Sequence, residues 1–254
     1  MDEIKTQTDQ GLATLTLNRP AQMNALSESL LTDLSTELER CAVDPLIRVV
    51  VIASAGAHFC AGHDLAQMNA DPTLAHYQRL FALCSKVMMQ IQQLPQPVIA
   101  RVDGTATAAG CQLVAQCDLA IASSRSRFAV SGVNLGLFCS TPSVALSRNI
   151  HRKQAFEMLV TGDFIDAQTA LARGLVNQVV EQNELGEATR KLCASIITKP
   201  ASTVALGKRM FYRQHDLGLA AAYQLAGQTM ACNMMDGDAQ EGVQAFLEKR
   251  QPNW

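Results

Sequence analysis

The chain has 254 residues, 48% hydrophobic and 17% charged, enough to bury a sizeable core within one large domain or one domain with a small appendage. Its 21 basic and 23 acidic residues nearly cancel, and no basic run is long enough to track a phosphate backbone or an anionic bilayer, so no nucleic-acid or membrane partner is expected. No apolar stretch approaches the roughly 18 residues of a spanning helix. The opening MDEIKTQTDQ is polar with two early acids, unlike a signal peptide or an Arg-rich transit peptide, and this predicts a cytoplasmic location.

Residues 12–17 (LATLTL) alternate as a strand does. After a Pro-containing turn and Asn24-Ala25-Leu26, Ser27 is placed to cap a helix with Leu30, Leu31, Leu34 and Leu38 on one face, and Asp44-Pro45 stops it. Residues 48–54 (RVVVIAS) read as a buried strand running into a Gly-containing loop, and a further helix is predicted to open at His63-Asp64-Leu65. Residues 77–94 have helical spacing, with Leu80, Phe81, Cys84, Val87, Met88 and Ile91 on one face, and Pro95 and Pro97 end the run. Residues 97–102 (PVIARV) and 118–123 (DLAIAS) are two more predicted strands. Between them Asp103-Gly104 turns the chain into 106–117, whose small residues suit a helix. Beyond residue 143 the pattern is mostly helical, with Gly162 and Gly174 as breaks, Asp166 as an N-cap, and Ala- and Met-rich faces from Ala201 onward. Strand, Gly-bearing turn and helix recurring in this order predict an α/β fold with sheets covered by helices.

The eight cysteines (Cys41, Cys60, Cys84, Cys111, Cys117, Cys139, Cys193 and Cys232) form no CxxC pair and sit mostly in apolar runs, so they read as reduced core residues. No His/Cys/Asp cluster has ligand spacing, so no metal is expected. GxSxG, Walker and GxGxxG sequences are absent, which leaves serine-hydrolase, P-loop and Rossmann readings without a motif.

Two turns built from small residues stand out: Phe59-Cys60-Ala61-Gly62-His63-Asp64-Leu65 and Ala106-Thr107-Ala108-Ala109-Gly110-Cys111-Gln112. Small residues allow either close approach of a ligand to the backbone or close packing of helix on sheet. Both turns lead into helix N-termini, where amide groups are free. If the turns converge, two amides point at one oxygen and form an oxyanion hole.

Four ordered segments carry a family resemblance. Ala61-Gly62-His63-Asp64-Leu65 is similar to an AGADL-type segment. Residues 97–104, followed by Ala109-Gly110-Cys111-Gln112-Leu113 and Cys117-Asp118, are similar to a "PVIAAVNG…GGGCEL…CD" block. Leu159-Val160-Thr161-Gly162 through Ala167 to Gly174-Leu175-Val176 is similar to "LTG…A…GLV", and residues 246–250 to "F.EKR". Together, from about residue 12 to the end, they resemble the crotonase (enoyl-CoA hydratase/isomerase) family. The resemblance implies a crotonase-like spiral of ββα units, with residues 1–200 as the acyl-CoA-binding core and 201–254 as a C-terminal helical trimerisation region. The implied assembly is a homotrimer or a dimer of trimers, and the implied ligand is an acyl-CoA thioester, without cofactor or metal. It assigns the two oxyanion-hole amides to His63 and Ala109. It places Ala25, Ala61, His63, Asp64, Leu65, Ala66 and Ala109 along the ligand, and brings Phe246 and Lys249 to the nucleotide, from a neighbouring subunit.

The chain departs from the family where a hydratase holds two catalytic glutamates: Gln112 stands at one position and Gly132 at the other. Glutamine hydrogen-bonds water but is no base at neutral pH, and glycine has no side chain. In this the chain resembles a subgroup of hydratase-domain-containing proteins that lack both glutamates. Ordinary hydration is therefore doubtful on the residues present. His63, Asp64, Gln112, Ser131, Asn134 and Ser140 are the polar groups left near the expected pocket. His63 is expected as a solvated loop residue lending its amide, Asp64 as a helix cap, and Asp118 and Cys139 as structural. Gln112→Glu combined with Gly132→Glu is expected to raise hydratase activity if Gly132 has no positive φ. The alternatives to a hydratase or isomerase are an acyl-CoA decarboxylase-type enzyme, which the Gly62-His63-Asp64 triplet also resembles, and a non-catalytic acyl-CoA binder.

Overall fold

The computed structural model describes residues 2–254. It opens with β1 (Ile4–Asp9) and β2 (Leu12–Leu17), an antiparallel hairpin whose two-residue turn, Gln10-Gly11, has positive φ at both positions, as this hand of turn requires. The helix α1 (Glu28–Val43) is capped by the Ser27 side chain, which accepts from the Leu30 amide, and its Leu30, Leu31, Leu34 and Leu38 are fully buried. Then come β3 (Val49–Ser54), β4 (His58–Cys60), α2 (Leu65–Ala70), α3 (Leu74–Gln93), β5 (Val98–Val102), β6 (Thr105–Thr107), α4 (Ala109–Gln116), β7 (Leu119–Ser123), β8 (Arg127–Ala129) and α5 (Ser140–Asn149). The chain finishes with α6 (Arg152–Thr161), β9 (Ile165–Asp166), α7 (Ala167–Ala172), β10 (Gln178–Val180), α8 (Leu185–Ile197), α9 (Ala201–His215), α10 (Leu219–Asn233) and α11 (Gly237–Glu248).

One sheet runs β1-β2-β3-β5-β7-β10, parallel throughout except for the opening hairpin, and a smaller sheet runs β4-β6-β8-β9. Three successive passes (β3-β4, β5-β6, β7-β8) each lay one strand in the large sheet and the next in the small one before a helix returns. This is the expected ββα repeat. Its consequence is positional: β4, β6 and β8 are parallel neighbours, with Cys60 paired to Ala106 and Thr107 to Ala129, so the segments that leave their C-terminal ends lie side by side. Those segments are 61–63, 108–109 and 130–132.

Several expected boundaries shift. Residues 105–107 form β6 instead of joining the helix expected over 106–117, because the ladder to β4 and β8 claims their backbone groups. The helix expected over 77–94 starts at Leu74, where the Thr73 hydroxyl caps the His76 amide. The helical tail expected after 143 includes β9 and β10, and Asp166 caps α7 as expected by accepting from the Thr169 amide. Seven of the eight cysteines are buried, but Cys232 is exposed on α10, which corrects its reading as a core residue. Burial pushes the thiols of Cys60, Cys84 and Cys111 up to about 12, which suppresses the thiolate.

A buried ion pair ties α9 to the core. Lys208 of α9 donates to the carbonyls of Ile91 and Gln96 and to the Asp118 carboxylate, at 2.8, 2.9 and 2.6 Å. Asp118 also accepts from the Val98 amide and the Tyr212 hydroxyl. Asp118 is thus structural, as expected. No residue of α9 or α10 is fully buried in the single chain, and Leu219, Tyr223, Met230, Met235 and Phe246 all stand exposed.

Candidate functional site

The two small-residue turns converge. Gly62 has φ +91°, and a side-chain carbon built on it falls 2.9 Å from the Ala108 Cβ and 3.3 Å from the Ala109 nitrogen. Only glycine accepts both the dihedral and the contact. Gly110 is pressed as closely onto β4: a Cβ there falls 2.2 Å from the Cys60 carbonyl oxygen. Ala108 takes φ +49° and ψ −120°, a conformation that costs a non-glycine residue roughly 1–3 kcal/mol. That kink lets the Ala108 amide bond the Ala129 carbonyl while Ala109 starts α4.

Two amides are left over. The parallel bridge between Leu26 and His63 uses the Gly62 carbonyl and the Asp64 amide, so the His63 amide has no acceptor among the described residues. Ala109 is the first residue of α4, where no intrahelical acceptor exists, and it has none elsewhere among the described residues. Both residues line a cavity of about 500 Å³. Its other walls are mostly apolar: Leu65 and Met68 near α2, Tyr77 and Phe81 on α3, and Leu135, Leu137 and Phe138 in the loop before α5. No aspartate or glutamate lines it. Tyr77 escaped the sequence reading. Its signal is the four-residue spacing to Phe81, which puts both on one stripe of α3.

His63 is not the solvated loop residue expected. Its ring packs edge-to-face on Phe81, with centroids 5.3 Å apart, and both ring nitrogens are buried without a hydrogen-bond partner among the described residues. Burial drives its pKa down to about 4, offset in part by the nearby Leu26 backbone, so the ring is neutral at pH 7. The unfolded chain takes up this proton near pH 6.5, while the folded chain resists until about 4. Stability from this site is therefore present above pH 6.5 and drains away as pH falls toward 4. Between pH 7 and 4.5 the wild type is expected to lose about 2–3 kcal/mol more than His63→Phe, measured by urea unfolding of both. Equal losses would remove the buried neutral imidazole from the account.

The remaining expected residues divide. Ala61 and Leu65 line the cavity, whereas Asp64 does not. Asp64 caps α2 by accepting from the Ala66 and Gln67 amides, and pairs with Arg19 at 3.0 Å. Burial raises its carboxyl, but the Gln67 amide and Arg19 outweigh this and hold it below the usual range. Ala25 is buried with its carbonyl taken by Arg19, and Ala66 is exposed on α2. Ser131 and Ser140 reach the cavity, with Ser131 hydrogen-bonded to Thr107 at 2.8 Å, while Asn134 lies against Gly162. Cys139 is buried as expected, though it forms part of the wall and accepts from the Gly132 amide. Phe246 and Lys249, on and after α11, lie outside this cavity in their own chain.

Gln112 and Gly132 line different cavities. Gly132 lines the cavity beside Cys139, whereas Gln112 lines a second cavity between α3, α4, α5 and α9. Nor can Gly132 accept a glutamate. Its φ is not positive, but a Cβ there meets the Leu137 carbonyl oxygen at 2.6 Å and the Cys139 sulfur at 2.8 Å. The gain of hydratase activity expected from Gln112→Glu with Gly132→Glu is corrected accordingly: backbone occupies the place of the second side chain.

Known proteins bear on this geometry directly. The family model described as enoyl-CoA hydratase/isomerase matches residues 7–254. The chain is 46% identical over 248 residues to the Xenopus laevis protein named enoyl-CoA hydratase domain-containing protein 3, mitochondrial, covering 98% of this chain and 84% of that one. It is 46% identical over 244 residues to the human protein of that name, covering 96% and 80%. Among solved structures, an enoyl-CoA hydratase of Mycobacterium smegmatis superposes with a TM-score of 0.98 at 56% identity, covering 99% of this chain and 98% of that one. The cytoplasmic location expected above is corrected by these relatives, whose names place them in mitochondria. The polarity of an opening segment reports how those residues are solvated and does not fix a compartment. With one family model spanning nearly every residue and the ββα architecture shared almost end to end, the chain belongs to the enoyl-CoA hydratase/isomerase family.

Proposed function

We propose that this protein binds acyl-CoA thioesters and stabilises an enolate at the thioester carbonyl through the amides of His63 and Ala109. The observation that carries this reading is the pair of unpartnered amides meeting across Gly62 on the wall of a largely apolar cavity. Charge that develops on the carbonyl oxygen meets donors already in place, so they act more strongly on the transition state than on the ground state. This chemistry requires no metal ion or redox group. With an amide at Gln112, no side chain at Gly132 and no carboxylate lining the cavity, the groups by which a hydratase activates water are missing. Hydration of crotonyl-CoA is therefore expected to be roughly 10²–10⁴-fold slower than with a positioned general acid or base. An absorbance assay with crotonyl-CoA and a melting curve with acyl-CoA test the two halves. Acyl-CoA should raise the melting temperature. No shift at millimolar acyl-CoA would sink the ligand assignment, and brisk hydration would show that another group activates water.

In this reading residues 1–200 carry the acyl site and 201–254 make subunit contacts, with Phe246 and Lys249 reaching the nucleotide of a neighbouring subunit's ligand. The exposed Leu219, Tyr223, Met230, Met235 and Phe246 support it, since apolar surface on this scale is costly in water. Light scattering is expected to report a trimer or a dimer of trimers, and a monomer at micromolar concentration would refute that assembly.

A decarboxylase-type reaction has one observation in its favour, the buried His63 ring with two unpartnered nitrogens beside the amide pair. A malonyl-type thioester brings a carboxylate. Breaking its bond to Cα releases CO2 and leaves the electron pair as the enolate, which water then protonates at Cα, so no protein base is needed. Mass spectrometry of malonyl-CoA incubations reads the outcome. Binding of thioesters without turnover of any leaves the protein an acyl-CoA binder.

A further inference from the structure

Both neighbours of His63 are pinned to one short segment, residues 24–26. The Leu26 amide donates to the Gly62 carbonyl at 2.7 Å, and the Asp64 amide donates to the Leu26 carbonyl at 3.2 Å. Arg19 grips both sides of this bridge with one guanidinium. Its Nη1 donates to the Ala25 carbonyl at 2.7 Å, its Nη2 to the Asp64 carboxylate at 3.0 Å, and its Nε lies 3.3 Å from Glu3. The Arg19 amide donates to Asn24 Oδ1 at 2.9 Å, and the fully buried Asn24 donates in turn to the Ala55 and His58 carbonyls, both at 2.8 Å. The side chains of Arg19 and Asp64 are only 17% and 15% exposed, so water screens their charge-assisted bond weakly.

We infer that Arg19, which does not line the cavity, is a positioning residue that keeps the His63 amide aimed at the enolate oxygen. This rests on the amide-pair reading above. A planar trans peptide sets the Gly62 carbonyl and the His63 N–H in opposite directions, so the bond that aims the carbonyl at Leu26 aims the amide away from it. The peptide is held on one side by segment 24–26 and on the other by Asp64, and Arg19 locks these two to each other. Asp64 divides its work between its oxygens. Its Oδ1 caps α2 by accepting from the Ala66 and Gln67 amides, and its Oδ2 takes Arg19, so the cap and the lock are separable. Lysine is no substitute at position 19, because an ammonium lacks the planar fork that spans Ala25 and Asp64.

The test uses acetoacetyl-CoA, whose enolate is distinguished from its keto form by near-ultraviolet absorbance. The enolate-to-keto ratio of the bound probe at one pH, and the calorimetric affinity for butyryl-CoA, are measured on the full-length wild type, Arg19→Met, Arg19→Lys and Asp64→Asn. The wild type should enrich the enolate over the free probe. Both Arg19 variants are expected to lower the ratio by about tenfold, because a misaimed donor loses most on the charged oxygen. Butyryl-CoA affinity should change by less than about twofold, since its carbonyl stays neutral. Asp64→Asn keeps the α2 cap and offers Arg19 only a neutral acceptor, so the ratio should fall, but less. A simple field of charges predicts the reverse: Arg19→Lys would keep the wild-type ratio and Asp64→Asn would raise it. Either result overturns the inference, as does a wild-type ratio in Arg19→Met or an equal loss in both readouts. If Arg19→Met does not fold, Arg19→Lys and Asp64→Asn decide the matter. A wild type that binds acetoacetyl-CoA without enriching the enolate defeats the amide-pair reading and this inference with it, whereas enrichment that survives in the Arg19 variants defeats this inference alone. Failure of both thioesters to bind defeats the acyl-CoA reading itself.

Discussion

Gly62→Ala is expected to lower turnover of whichever thioester the wild type processes best by roughly 10²–10³-fold, the loss that follows removal of one oxyanion-hole donor. The methyl group meets the Ala108 Cβ at 2.9 Å and the Ala109 nitrogen at 3.3 Å, at a φ of +91° that a side chain tolerates poorly. Relief comes only by moving one turn away from the other, and the two amides then no longer aim at one oxygen. Ground-state binding should change far less than turnover, because an uncharged carbonyl gains little from these donors. Stability should fall by about 1–3 kcal/mol, the order of the backbone strain introduced. Single-turnover kinetics and acyl-CoA affinity, measured on the same preparation, separate the two effects. An alanine variant with unchanged turnover would remove the amide pair from the mechanism.

Lys208→Met is expected to cost about 3–5 kcal/mol, the penalty for breaking a buried ion pair by removing one partner. Lys208 and Asp118 side chains are only 6% and 13% exposed, and methionine fills the same channel while leaving the Ile91 and Gln96 carbonyls and the Asp118 carboxylate short of a donor. Burial pulls the Lys208 ammonium below its usual range, and Asp118 opposes this. Burial likewise pushes the Tyr212 phenol well above its own, with Asp118 adding to it. Adding Asp118→Asn to Lys208→Met should recover part of the loss, because the stranded charge is gone while an oxygen remains for the Val98 amide. Urea unfolding of the wild type, both single variants and the double variant measures the coupling. Additive losses would mean that the pair does not act as a unit. Because Lys208 lies on α9 and its partners lie on the core, α9 should loosen first, which hydrogen exchange across residues 201–215 reads directly.

Elements with long patterns were legible in one dimension. Four leucines at helical spacing behind a capping serine could make only α1, and unbroken apolar runs bounded by turns made β3, β5 and β7. Small residues at Gly62, Ala108 and Ala109 marked where backbone would be approached, since a missing side chain is visible in one dimension. The absence of glutamate at 112 and 132 was equally plain. What stayed hidden depended on neighbours distant in the chain. The strands β4, β6, β8, β9 and β10 are two or three residues long, too short for an alternation to register, and exist because neighbouring strands, parallel for all but the β8-β9 pair, supply their hydrogen bonds. The burial of His63 comes from Phe81 on another helix, and no local pattern distinguishes it from a loop histidine in water. Whether Gly132 had room for a side chain depended on the Leu137 carbonyl and the Cys139 sulfur, placed there by the fold of the loop. The side on which Gln112 presents its amide was likewise set by the packing of α3, α5 and α9 around α4, because a helix exposes every residue to some direction and only its neighbours decide which direction is a cavity.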